Sequence, residues 1–337
     1  MHRYIIAIAL FSQFSCADIF MGPDLRDTPR SNFDYLCKTI EERYSLFEIK
    51  NIDWDSVKTK YSDKIDNEMT RDELFEVLGN MLGELEDGHV NIDTDWDYAR
   101  NWDWYLDYPS NFNFNILERN YLGRKHWRPG PFLATILPDS IGYVYYASFA
   151  PPIKAGELNA LFDYLKNCKA VIFDIRSNGG GKLDNVRKIA ERFADTTRLG
   201  AKFYYKSGKG KNDFDGPFDY EIKPSKGTRF TKNVVILTNR KSYSASTFFP
   251  AIMSAFPHVT LMGDKTGGGG GIPYYFELPN GWPFRFSTTY TIDTKGRNIE
   301  LGIEPDIKVE LSPEDEAKGV DTMIEKARAF LLEKMNG

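Results

Sequence analysis

Serines at 242, 244 and 246 crowd one turn of the chain, just after the short apolar run Val234 to Leu237. That run is rich in β-branched residues and reads as a buried strand. Asn239, Arg240 and Lys241 supply turn chemistry. Ser244, Ser246 and Thr247 are residues that cap a helix start, with Pro250 expected in the first helical turn. A hydroxyl at such a junction faces free backbone N–H groups and the positive end of a helix. That setting suits a nucleophile whose attack creates an oxyanion. The same serines could equally do no more than cap the helix.

A second chemical group is His89, in Asp87-Gly-His89. Gly88 is expected to end a helix there and His89 to begin a strand. A third is the loop Arg176-Ser-Asn-Gly-Gly-Gly-Lys182, set between the apolar strand Ala170–Ile175 and a helix through Val186, Ile189 and Phe193. Strand, glycine loop and helix could cradle a phosphate. A Walker loop is excluded, because Arg176 stands at its first glycine and Leu183 at its Ser/Thr. The N–H groups freed by Gly180 and Gly181 could instead hold an oxyanion. A run of glycines, Gly267 to Gly271, follows the strand His258–Asp264 and allows close backbone approach.

These groups need a frame, and 337 residues suffice for a large core and two domains. A net charge of −5 gives no electrostatic case for nucleic acid. The four histidines show no metal-ligand spacing, and no cofactor or metal is expected. At the N-terminus, His2 and Arg3 precede the apolar run Tyr4 to Phe14, too short to span a bilayer comfortably and shaped like an export signal. Ser15-Cys16 resembles the end of a bacterial lipoprotein signal, with Cys16 as the lipidated residue; a plain cleaved signal is the alternative. Cys37 and Cys168 read as buried thiols.

Residues 17–30 read as a tether, and 31–91 as a helical domain. Phe33, Leu36, Cys37 and Ile40 recur at helical spacing, Asp53 or Asp55 can start a second helix, and Thr70-Arg-Asp-Glu73 is a capping box for a third. Residues 92–141 form a loop-like aromatic connecting segment with Trp96, Tyr98, Trp102, Trp104, Tyr105, Tyr108, Phe112 and Phe114. It could line a substrate groove or pack between domains. Residues 142–337 alternate strand and helix. Tyr274–Leu278 and Phe284–Ile292 are expected as strands, and Pro313–Met335 as a closing helix.

Taken together, Asp87-Gly-His89, Asp174-Ile-Arg-Ser-Asn-Gly-Gly-Gly181, Ser242-Tyr-Ser-Ala-Ser246, Gly263-Asp-Lys-Thr266 and Gly302-Ile-Glu-Pro-Asp306 resemble the C-terminal processing (tail-specific) serine peptidase family, which includes the tricorn core protease. The resemblance spans about residues 31–335 and implies an α/β, crotonase/ClpP-like core of ββα units behind a small N-terminal helical domain. It implies Ser244 as nucleophile, with the N–H of Ala245 and of Gly180 or Gly181 as oxyanion donors. The processing branch takes its lysine base from a Thr-x-Gly-Lys-Gly segment. Here that position holds Gly269, and Lys265 is a poor substitute. The tricorn-like branch uses a histidine, which His89 matches, although Gly88 replaces the serine that precedes it there. An imidazole near its ordinary pKa of about 6.5 can accept a proton at neutral pH. Glu300 stands near the position of the tricorn-like glutamate, one residue closer to Gly302, and would orient His89 or polarise the site. About fifty residues separate Ile92 from Ile141, roughly half of what a PDZ domain needs.

The resemblance implies a serine endopeptidase acting on peptide or unfolded protein; together with the signal-like N-terminus it gives an exported one, in the bacterial periplasm or outer membrane and lipid-anchored through Cys16. A binding protein for peptides or lipophilic ligands on the same fold is the alternative. An acyl-CoA enzyme is the weaker third, because an exported chain would not meet that cytosolic cofactor.

Overall fold

The computed structural model describes residues 26–101 and 107–336. Cys16 and the signal-like run therefore lie outside the described residues, as do Trp102, Trp104 and Tyr105 of the aromatic segment. Among the described residues no helix is long and apolar enough to cross a membrane.

The chain begins with four helices, α1 (Pro29–Arg43), α2 (Phe47–Lys50), α3 (Trp54–Ser62) and α4 (Arg71–Gly83). Thr28 caps α1 two residues before the expected end of the tether, and Pro29 takes the first helical position. Asp53 caps α3. The Thr70–Glu73 capping box opens α4. That helix stops at Gly83, five residues before Gly88. Glu86 then adopts a left-handed φ of 46°, so His89 sits on a turn ahead of β1 (Asn91–Asp93) rather than on a strand. β2 (Tyr98–Arg100) follows.

The segment expected to be loop-like also contains a helical turn, α5 (Phe114–Ile116), that runs on as a π-helix, Leu117–Leu122. Some of its described aromatics make ring contacts, although Trp96, Tyr98, Tyr108 and Phe114 remain exposed. Trp96 meets Trp282, and Phe112 stacks on Tyr145.

The centre of the molecule is a six-stranded sheet. It uses β3 (Phe132–Ile136), β4 (Ile141–Tyr146), β5 (Ala170–Asp174), β8 (Val234–Thr238), β9 (Val259–Gly263) and β13 (Ile307–Lys308), in the order β13-β9-β8-β5-β4-β3. Only β3 is antiparallel to its neighbour. A parallel sheet must be covered on both faces, and this one is. Val171, Phe173, Val234 and Ile236 pack with α6 (Ala155–Leu165), α7 (Leu183–Phe193) and α8 (Ala245–Met253). Ile172, Val235 and Leu237 face α10 (Thr322–Asn336). The expected closing helix is in fact two, α9 (Pro313–Ala317) and α10, broken at Gly319 with φ 74°.

A three-stranded sheet, β12-β6-β7, joins β6 (Arg198–Lys206), β7 (Phe214–Ile222) and β12 (Thr289–Asp293). A four-stranded sheet, β10-β11-β1-β2, adds β10 (Pro273–Glu277) and β11 (Pro283–Ser287). The expected strand Phe284–Ile292 is therefore split at Thr288 between two sheets. Leu278, Trp282, Phe284 and Phe286 complete the apolar core of α1–α4. The helical region is thus closed by strands from the far end of the chain, and this junction carries the site.

Candidate active site

Ser244 stands between β8 and α8. The turn is stitched by side chains. Asn239 N–H donates to Ser242 Oγ at 3.1 Å, Ser242 Oγ–H donates to Ile175 O at 2.9 Å, and Ser177 N–H donates to Asn239 Oδ1 at 2.8 Å. Ser242 is therefore a framework residue. Thr247 Oγ1 accepts the Gly268 N–H at 3.1 Å rather than capping α8. Ser244 itself has φ 59° and ψ −121° and makes no side-chain cap bond. Such a conformation costs a non-glycine residue about 1–3 kcal/mol and aims its side chain off the helix start. Because α8 begins directly after Ser244, Pro250 is its sixth residue, not part of its first turn. Ser246 O therefore lacks the helical donor that another residue at 250 would provide.

The glycine loop presses on this turn. A Cβ on Gly180 would lie 2.6 Å from Tyr243 O and 2.8 Å from Ser244 Cβ, so only glycine fits. Gly180 N–H donates to Asn178 Oδ1 at 3.0 Å. The N–H groups of Ala245 and Gly181 make no hydrogen bond among the described residues. Both residues line a small cavity of about 70 Å³ together with Ser244, Phe248 and Gly269 to Pro273.

His89 arrives from the helical region. Its Nε2 lies 3.0 Å from Ser244 Oγ across 155 residues of chain. To accept that hydroxyl proton the ring must carry its own hydrogen on Nδ1. His89 Nδ1 is buried and makes no hydrogen bond among the described residues. The ring leans on Tyr243, centroids 5.0 Å apart. Asp87 secures the backbone, its Oδ1 accepting the His89 N–H at 2.8 Å, while Tyr44 OH donates to Oδ2 at 3.2 Å. Burial lowers the His89 pKa to about 4, against the pull of the Asp87 carboxylate and with help from Arg285, Arg100 and Lys50. The ordinary value near 6.5 expected from sequence is thus displaced by desolvation, and the imidazole is neutral over a wider pH range.

Glu300 is buried, but its carboxylate does not bond His89. Oε1 pairs with Lys50 Nζ at 3.2 Å and Oε2 accepts the Gly271 N–H at 3.3 Å. Burial, then Asp87, push its pKa up to about 7 although Lys50 pulls it down. Lys50 also donates to Glu86 O at 3.0 Å and so ties α2, the His89 turn and the glycine run into one cluster. Burial works against the Lys50 charge, but Glu300 and Asp87 outweigh it and the net shift is upward. Sequence reasoning assigned no role to Lys50, Tyr44, Tyr243 or Asp87; only Asp87 carried a signal, its place two residues before His89.

Gly269 explains the missing lysine. With φ 76°, its Cβ would lie 2.4 Å from Tyr243 Cζ. Lys265 turns outward to Glu304, 3.0 Å away. Cys37 and Cys168 are buried free thiols.

A hydroxyl, a neutral imidazole and two N–H groups, unbonded among the described residues and carried by residues lining the cavity, are the parts that acyl transfer by a serine requires. The chain belongs to peptidase family S41, which matches residues 140–309, with the Tricorn protease C1 domain matching residues 25–83. A putative peptidase from Parabacteroides merdae is 43% identical, with TM-score 0.86 over 91% of this chain and 98% of that one. Mature CPAF, solved in complex with lactacystin, shares the fold with TM-score 0.73 at 11% identity, over 92% of this chain and 99% of that one. A carboxy-terminal processing protease of Bacillus subtilis is 27% identical over 176 residues, 51% of this chain. The chain spans only 36% of that relative and 30% of a CtpA-like serine protease of Staphylococcus haemolyticus.

Proposed function

We propose that the chain is a serine endopeptidase in which Ser244 is the nucleophile and His89 the general base. The observation that carries this reading is the 3.0 Å contact between Ser244 Oγ and His89 Nε2, beside the N–H groups of Ala245 and Gly181. Ser244 Oγ attacks the peptide carbonyl and its proton passes to His89 Nε2. The oxyanion is held by Ala245 and Gly181, each donor contributing about 3–4 kcal/mol to the transition state. Gly181 takes this role rather than Gly180, whose N–H serves Asn178. His89 then protonates the leaving amine, and water releases the acyl-enzyme. Asp87 fixes the His89 turn. Glu300 acts as a buried negative charge that favours the imidazolium formed in the transition state, and is not a hydrogen-bonded third member. The aromatic segment serves to pack the helical region onto the core.

The signal-like N-terminus supports export to the periplasm or outer membrane, with Cys16 as the lipid anchor. Mass analysis of the membrane-bound protein reads this directly: a diacylglyceryl adduct on an N-terminal Cys16 supports it, and a soluble chain with unmodified Cys16 removes the anchor. The catalytic reading is tested by hydrolysis of a diverse peptide pool by wild type, Ser244→Ala and His89→Ala. Loss in both variants supports the dyad, and full activity in Ser244→Ala sinks it.

A further inference from the structure

The four-stranded sheet turns two unlike faces. Directly opposed residues in a sheet share a face, and Ile92, Ala99, Phe276, Phe284 and Phe286 all go to the helical core. The opposite face carries one polar row across all four strands: Tyr275, Arg285, Asn91 and Arg100. The row abuts the site from two sides. Asn91 Nδ2 donates to His89 O at 3.1 Å, and Arg100 Nε donates to Gly88 O at 2.8 Å. At the other end, β10 starts at Pro273, which lines the cavity beside Ser244. Tyr275, the partner of Arg285, is two residues along that strand, about 7 Å at strand rise.

Arg285 is built into this row without an anion. Its Nη1 donates to Tyr275 OH at 3.3 Å, and its Cζ lies 5.6 Å from that ring's centroid. Its Nε is buried and makes no hydrogen bond among the described residues. No carboxylate pairs with it within 4.0 Å among the described residues. Both guanidiniums lower the His89 pKa, an independent sign that they lie close to the base. A planar guanidinium, half-buried, oriented by an aromatic ring and without a carboxylate partner among the described residues, matches a carboxylate in shape and charge.

We propose that Arg285 binds a carboxylate of the substrate chain, so that the site prefers polypeptides with an acidic group near the bond to be cut. A C-terminal α-carboxylate and an Asp or Glu side chain supply the same chemistry. The inference rests on the peptidase reading for the nature of the ligand, but binding tests it without turnover.

Ser244→Ala protein would be titrated with fluorescein-labelled peptides of one neutral sequence, in four versions: free or amidated C-terminus, and central Glu or Gln with the end amidated. Within one of the two pairs, the acidic version should bind about tenfold tighter than its neutral partner, and that pair identifies the source of the carboxylate. Arg285→Gln should abolish the difference while leaving the neutral versions unchanged, and Arg285→Lys should keep part of it. Equal affinity of all versions, no binding of any version, or a preference that survives in a folded Arg285→Gln protein would overturn the proposal. Should Arg285→Gln lose its melting transition, the wild-type-side comparison and Arg285→Lys decide by the same criterion. Hydrolysis of a small activated ester, p-nitrophenyl acetate, by the Ser244 protein reads the peptidase site separately, because that substrate carries no carboxylate.

Discussion

The two partners of the Ser244–His89 contact are held in opposite ways. Ser244 is placed by its own neighbourhood in the chain: a buried strand, a turn closed by Ser242 and Asn239, and a helix that starts at Ala245. His89 is placed by distant groups. Its turn hangs on Asp87, which Tyr44 from the end of α1 supports, while its ring rests on Tyr243 and Lys50 reaches across to Glu300. The proposed nucleophile is thus a property of the core, and the proposed base a property of the junction between core and helical region. Damage to that junction should disarm the base while leaving the nucleophile in place.

The largest effects should come from the pair itself. Ser244→Ala should lower kcat on a cleaved peptide by about 10⁴-fold or more, and His89→Ala by a similar factor, because members of one dyad act as a unit. The double variant should be no worse than either single variant in steady-state assays; multiplicative losses would show that the two act independently.

Changes at the junction come next. Lys50→Met leaves Glu300 buried without its cation, and Glu300→Gln removes the charge. Glu300→Gln should reduce kcat by about 10–100-fold with KM little changed, since Coulombic support of an imidazolium operates in the transition state; Lys50→Met should reduce it less, because it lets Glu300 stay protonated but also removes a cation that disfavours the imidazolium. The wild-type rate should also rise with pH through about 7 as Glu300 ionises. That limb should vanish in Glu300→Gln, while the fall caused by protonation of His89 stays near its depressed value of about 4. A wild-type profile governed by one group near 6.5 would mean that the base is not desolvated as described.

The attempt to graft a lysine base should fail for a local reason. Gly269→Lys meets the Tyr243 ring and a positive φ. It should lower the melting temperature by several degrees and yield no activity in a His89→Ala background.

The smallest effect is on stability against pH. His89 has a folded pKa below its unfolded value, so its contribution is fully present above about 6.5 and is lost as pH falls towards 4. Glu300 has a folded pKa above its unfolded value, so its contribution is present at low pH and lost as pH rises towards 7. The two oppose each other between these limits. Glu300→Gln should therefore make stability rise more steeply from pH 4.5 to 6.5 in urea melts, and a flatter profile would contradict the burial of Glu300.

The same contrast explains what the sequence reveals. The strand before Ser244, the glycine loop after Asp174 and the Thr70 capping box are local patterns, and each is found where its chemistry requires. The end of α4 differs from the sequence expectation because Gly88 looks like a helix stop, whereas the chain has already left the helix at Gly83 and turns through Glu86. Splitting of Phe284–Ile292 between two sheets, and the closing of the helical core by Phe284 and Phe286, depend on pairings with β1 and β6 that no local pattern encodes. Lys50 was invisible for the same reason, since a lone lysine on a short helix carries no signal until Glu300 is brought beside it. The His89 pKa likewise follows from burial, which spacing alone does not give.

The most direct measurement is the rate of labelling by a serine-reactive fluorophosphonate in wild type, Ser244→Ala, His89→Ala and Lys50→Met. The account requires labelling of wild type, none in Ser244→Ala, labelling at least about 100-fold slower in His89→Ala, and an intermediate rate in Lys50→Met. Labelling that persists in Ser244→Ala, or that proceeds at the wild-type rate in His89→Ala, would contradict the pairing of a core nucleophile with a base supplied across the junction.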